Sequence, residues 1–173
     1  DTLYFIPADS IPWPDGSTVH IELISADDSL GNELTTPLDW SFIVDISPPV
    51  FSEETPYNFS WVADSVPVIS VHIADSVSGI DTSLVLLTIN GVTYHIGDPG
   101  VVWLPDTLSD ISEGMLYFYP ESAGVVFSHA ETVFVSVSAG DSPTLCDPNT
   151  GETSWEFYID IIGPKAIAPF DGI

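Results

Sequence analysis

The chain has 173 residues, of which 26 are Asp or Glu and one, Lys165, is basic; its formal charge is −25 at pH 7 and 45% of its residues are hydrophobic. Nucleic acid and anionic lipid surfaces bind through Lys and Arg, so this balance excludes both as partners and points to basic partners or divalent cations. Regularly placed aromatic and β-branched residues distinguish it from a disordered acidic tail, and no apolar run approaches the roughly 18 to 20 residues that cross a bilayer.

Taken in order, the first recognisable pattern runs from Leu3 to Asp45, and it returns in a longer form from Leu116 to Asp160. Leu3-Tyr4-Phe5 with Pro7 matches Leu116-Tyr117-Phe118 with Pro120. Thr18-Val19 matches Thr132-Val133, and Trp40-x-Phe42-x-x-Asp45 matches Trp155-x-Phe157-x-x-Asp160. Differences in length fall between these blocks, where loops belong, which is the signature of a repeat architecture. On this alignment residues 1–47 are the back half of one repeat, 48–163 a complete repeat, and 164–173 the start of a following one. The chain therefore reads as a window on a longer tandem array.

Within both copies the hydrophobic period is two. Val19, Ile21 and Leu23 oppose His20, Glu22 and Ile24, and Val133, Val135 and Val137 oppose Phe134, Ser136 and Ser138. The closing segments behave alike: Trp40, Phe42 and Val44 alternate with Ser41, Ile43 and Asp45, as Trp155, Phe157 and Ile159 do with Glu156, Tyr158 and Asp160. Such alternation predicts half-buried antiparallel strands. Since residues 1–47 lack front strands, their apolar face needs a cover from a neighbouring repeat, in the same or another chain.

The prolines of Ile46-Ser47-Pro48-Pro49 mark the expected boundary, because they remove backbone donors and stiffen the chain. Beyond it, Ile69, Val71 and Ile73 form an inward set, followed by Val85, Leu87 and Ile89 running into Asn90-Gly91. Asn-Gly accepts the positive φ of a type I′ turn and predicts a hairpin. Strands are expected near 67–74, 84–89, 92–96, 101–104, 115–119, 132–139 and 154–160. Seven short strands between Gly, Pro, Asp and Ser clusters predict an antiparallel β-sandwich. Its core would hold Ile69, Val71, Val85, Leu87, Val133, Val135, Val137, Trp155 and Phe157.

The stretch Asp75-Ser76-Val77-Ser78-Gly79-Ile80-Asp81, then Leu84 to Asn90-Gly91, then the Trp-x-Phe-x-x-Asp strand and proline linker, resembles the tandem bacterial immunoglobulin-like (cadherin-like) repeats of large surface or secreted proteins. The resemblance covers nearly the whole chain and marks a fold more than an activity. It implies an all-β, immunoglobulin-like antiparallel β-sandwich repeated in tandem, extracellular or at the cell surface. The implied function is structural: a stalk or spacer repeat of an adhesin or filament, with neighbouring repeats as its partners. The alternatives are a carbohydrate-binding module, for which Trp13, Trp61 and Trp103 are candidates, or an accessory domain of a secreted enzyme.

Chemistry beyond this is sparse. Cys146 is the only cysteine, so no intrachain disulfide forms. His20, His72, His95 and His129 lack zinc-site spacing, and chance alone brings Ser, His and Asp together in so Ser-rich a chain, so the chain reads as non-enzymatic. With no lysine before Lys165 and no glutamine, the internal Lys–Asn, Thr–Gln and Cys–Gln cross-links of some surface stalks are excluded. If a cofactor binds, it is calcium. In an immunoglobulin-like sandwich the linker and two loops meet at one pole, bringing together Asp45, Asp75, Asp81 and Asp141, with Asp147 nearby, as hard oxygen ligands. The alternative is that these Asp residues shape turns.

Overall fold

In the computed structural model, which describes residues 13–107 and 110–165, every regular element is a β-strand. The chain divides into two compact units, Asp1–Ser47 and Pro48–Ile173. The expected block at Leu3-Tyr4-Phe5 and nearly all of residues 164–173 lie outside the described residues.

In the first unit, β1 (Thr18–Leu23) pairs antiparallel with β2 (Leu38–Ile43), placing Val19 opposite Phe42 and Ile21 opposite Trp40. Alternation puts Val19, Ile21, Leu23 and Phe42 on one face, but they are only half-buried, and Trp40 remains 46% exposed. Trp13 stands edge-on to Phe42 with ring centroids 5.4 Å apart. Among the described residues no second layer removes water from this face of the two-stranded ribbon.

The second unit has that layer. Its strands are β3 (Val50–Thr55), β4 (Trp61–Val62), β5 (Ile69–Ala74), β6 (Ile80–Ile89), β7 (Val92–His95), β8 (Val101–Thr107), β9 (Asp110–Phe118), β10 (Thr132–Asp141) and β11 (Thr150–Ile159). They form a five-stranded sheet, β4-β11-β10-β6-β7, and a four-stranded sheet, β3-β5-β9-β8. Inward residues of β5 and β9, such as Val71 and Phe118, share one core with Val85, Val135 and Phe157 of the other sheet. Tyr94 and Phe118 bridge the sheets at 4.9 Å. Each fully buried Val, Leu, Ile or Phe contributes about 1.5–3 kcal/mol, and all nine expected core residues are buried.

Asn90 and Gly91 turn the β6–β7 hairpin with φ of 48° and 82°, as the type I′ expectation requires. The differences lie elsewhere. β3 and β4 have no counterpart in the alternation pattern. β3 is irregular, its register shifting between Ser52 and Thr55 where Glu53 adopts φ 57°. β4 has two residues and is parallel to β11, the exception in an otherwise antiparallel sandwich. β6 begins at Ile80, earlier than expected, because Ile80 and Asp81 pair with Asp141 and Gly140 across a bulge. Asp81 is consequently a strand residue and not a loop residue.

Candidate functional site

Two of the expected calcium ligands meet where β5 and β10 end. Asp75, 5% exposed, directs Oδ1 at the backbone N–H groups of Val77, Ser78 and Gly79, which donate at 3.1, 3.0 and 3.1 Å. Gly79 takes φ 78°, which lets the turn curl around the carboxylate. Asp141 is fully buried; Asn149 donates its N–H to Oδ1 at 2.7 Å and Nδ2–H to Oδ2 at 2.6 Å, while the Asp141 N–H donates to the Asn149 carbonyl at 3.1 Å. Carboxylate oxygens of Asp75 and Asp141 lie within 4.8 Å of one another. Two such charges in a poorly solvated place repel, and donors aimed at each carboxylate offset that cost.

Asp81 and Asp147 sit differently. Asp81 faces Gly140 across the sheet, and its Oδ1 accepts from the Ser83 N–H at 2.9 Å and hydroxyl at 2.6 Å. Asp147 is exposed. Asp45 belongs to the first unit, where its Oδ1 accepts the Ser47 N–H at 3.4 Å. Calcium takes six to eight oxygens; here both Asp141 oxygens and one Asp75 oxygen already accept hydrogen bonds, so an ion would have to share them.

The Asp141–Asn149 arrangement has a twin. Asp28, after β1, accepts from the Asn32 N–H at 2.9 Å and Nδ2–H at 2.6 Å, and its own N–H donates to the Asn32 carbonyl at 3.0 Å. The Asn32 side chain, then the N–H groups of Asn32 and Leu30, hold the Asp28 carboxyl below its ordinary pKa. The hairpins also share their register: Thr18↔Ile43, Val19↔Phe42 and Ile21↔Trp40 in one, Thr132↔Tyr158, Val133↔Phe157 and Val135↔Trp155 in the other. Sequence reasoning missed this clasp, although Ser25-Ala26-Asp27-Asp28-Ser29 beside Ser138-Ala139-Gly140-Asp141-Ser142 carries the signal.

The three tryptophans expected as sugar platforms have three different environments. Trp13 packs on Phe42. Trp103 is half-buried over Gly114, where a Cβ would approach its ring to 2.7 Å. Trp61 is 68% exposed and leans on Tyr158, with ring centroids 4.9 Å apart at 36°. Beside this pair a groove of about 370 Å³ runs over the outer face of the five-stranded sheet, between Phe59 and Phe134 and past Asn58, Ser136, Ser154 and Glu156. The Tyr158 hydroxyl donates to Glu156 Oε1 at 2.7 Å, and this bond, reinforced by desolvation and the carboxylate's charge, raises the phenol's pKa above 10.0.

On the opposite sheet, His72 Nδ1 lies 3.5 Å from Ser52 Oγ and its Nε2 lies 3.4 Å from Asp106 Oδ2, with a Glu113 oxygen among the nearby carboxylate atoms. The order is reversed from a Ser-His-Asp triad, in which Nε2 serves the nucleophile and Nδ1 the carboxylate. Long-range strand pairing assembles this group, and no local motif announces it. No protein-family model, curated protein or solved structure matches this chain.

Proposed function

We propose that the chain is a structural module, an immunoglobulin-like, cadherin-like repeat serving as stalk or spacer in an extracellular or cell-surface protein, with neighbouring repeats as its partners. The observation that carries this reading is the parallel seam between β4 and β11. Phe59 N–H donates to the Glu156 carbonyl at 2.7 Å, Tyr158 N–H to Ser60 at 2.9 Å and Asp160 N–H to Val62 at 2.8 Å. The seam lies near the start and the end of the sandwich. Tension between residues 48 and 163 loads β3 against β5 and then drags parallel β4 and β11 in opposite directions along their length, so the three bonds of the seam bear load together in shear. An antiparallel end-hairpin would peel open one bond at a time. With a single cysteine, no glutamine and no lysine before Lys165, the complete unit relies on its strand hydrogen bonds, this seam among them, and on its core to resist force.

The shared hairpin register and the twin Asp–Asn clasps support the tandem-repeat reading. Calcium remains part of the proposal, at Asp75 and Asp141 with Asp45 and Asp81 as further expected ligands. It would relieve the repulsion between buried carboxylates that no nearby Lys or Arg neutralises.

Single-molecule force spectroscopy tests the spacer reading. Handles at residues 48 and 163 should give one sharp rupture at higher force than handles at residues 90 and 163, which load β7 and β11 differently. Equal forces from both geometries would remove the mechanical argument.

A further inference from the structure

We propose that the outer face of the five-stranded sheet is a binding site for a neutral pyranose glycan, with sugar rings stacked on Phe59, Phe134 and the Trp61–Tyr158 pair. This site is independent of the spacer reading, since a spacer needs no ligand.

Exposure is the first argument. Phe59, Trp61 and Phe134 are 62%, 68% and 57% exposed; Phe59 and Phe134 line the groove, and Trp61 pairs with Tyr158 on the adjoining strand. Tyr158 lies opposite Trp61, Glu156 lies opposite Phe134, and the Phe59 N–H donates to the Glu156 carbonyl. Clustered rings of this size left in water mark a contact surface. The apolar C–H face of a pyranose matches an aromatic face, and its equatorial hydroxyls need hydrogen-bond partners at the edge.

The same sheet provides those partners. Strand register aligns Ser154, Ser136, Thr88 and Thr93 in a row across β11, β10, β6 and β7. Thr88 and Thr93 hydroxyls already meet at 3.0 Å, and each hydroxyl in such a row both donates and accepts. A row of small hydroxyls beside a bank of rings suits a polyhydroxylated, partly apolar ligand better than a peptide, whose side chains demand pockets.

Charge selects the ligand further. The chain carries a formal charge of −25, yet Glu156 is the one charged residue lining the groove, and its Oε1 is held by Tyr158. An acidic glycan would meet an acidic protein with no cation in the groove to receive it.

The floor is preformed as well. Phe59 holds φ 60°, the left-handed region that a bulky residue occupies only when its surroundings impose it. The surroundings here are its N–H bond to Glu156 and the neighbouring Asn58, whose Oδ1 accepts the Glu156 N–H at 3.2 Å. A backbone already held in place lowers the ordering cost of binding.

The test uses the chain titrated with neutral hexasaccharides (cello-, xylo-, manno- and chito-oligomers) and, as comparison, a sulfated or uronic-acid hexasaccharide, read by amide NMR shifts and tryptophan fluorescence. At least one neutral oligomer should shift Phe59, Trp61 and Phe134 amides, with binding insensitive to salt. Trp61→Ala and Phe134→Ala, both at exposed sites, should each weaken it by about tenfold, the equivalent of one ring stack, with melting temperature nearly unchanged. Tyr119→Ala, just past the end of β9 in the other sheet, should leave it intact. The proposal fails if no neutral oligomer perturbs these amides, if only the acidic one binds, if binding survives both ring deletions, or if sedimentation shows the face occluded by a second copy.

Discussion

Replacing Asp141 with Ala removes a fully buried carboxylate that accepts two hydrogen bonds from Asn149, at 2.7 and 2.6 Å. Hydrogen bonds to a charged group are worth roughly 1.5–3 kcal/mol each. Relief of the repulsion from Asp75, whose oxygens come within 4.8 Å, offsets part of that loss. The expected net destabilisation is therefore about 2–4 kcal/mol, a fall of roughly 8–15 °C in melting temperature for a sandwich of this size. Asn149→Ala should cost a similar amount, since it leaves Asp141 buried with its side-chain donor gone. The double variant isolates the pair: a coupling of about 2 kcal/mol is expected from urea denaturation of the four proteins. The equivalent substitution Asp28→Ala, at an exposed clasp, should be much milder. A coupling below about 0.5 kcal/mol would refute the argument that this contact closes the loop between β10 and β11.

Phe157→Ala empties a position with no solvent exposure and should cost about 3–5 kcal/mol; Phe42→Ala, at the matching but half-buried position, should cost clearly less in the same melting assay. Tyr158 should titrate above its ordinary 10.0 because Glu156 holds its hydroxyl. A raised folded pKa stabilises below the ordinary value and loses that contribution as pH rises through the folded one, so Glu156→Gln should move the absorbance titration back toward 10.0 and remove that alkaline component. Millimolar calcium should raise the melting temperature relative to chelator, and Asp75→Asn should abolish the difference; identical melts would remove calcium from the proposal.

Face assignment was legible in the sequence because side chains alternate strictly along a strand, a property of the local backbone. Ile69, Val71, Val85 and Leu87 point into the core as their period requires, and Asn90-Gly91 turns where its tolerance for positive φ predicts. What alternation cannot encode is whether a face is covered. Val19-Ile21-Leu23 and Val133-Val135-Val137 carry the same pattern and the same register, yet one set is half-buried and the other closed under β5 and β9. That difference depends on strands distant in the chain. The remaining discoveries share this cause. The pairing of β4 with β11, the Asp141–Asn149 clasp and the ring surface of Phe59, Trp61 and Phe134 each join segments whose separation no local period records. Only the closed sandwich, in which burying the apolar faces fixes every strand's neighbour, decided them.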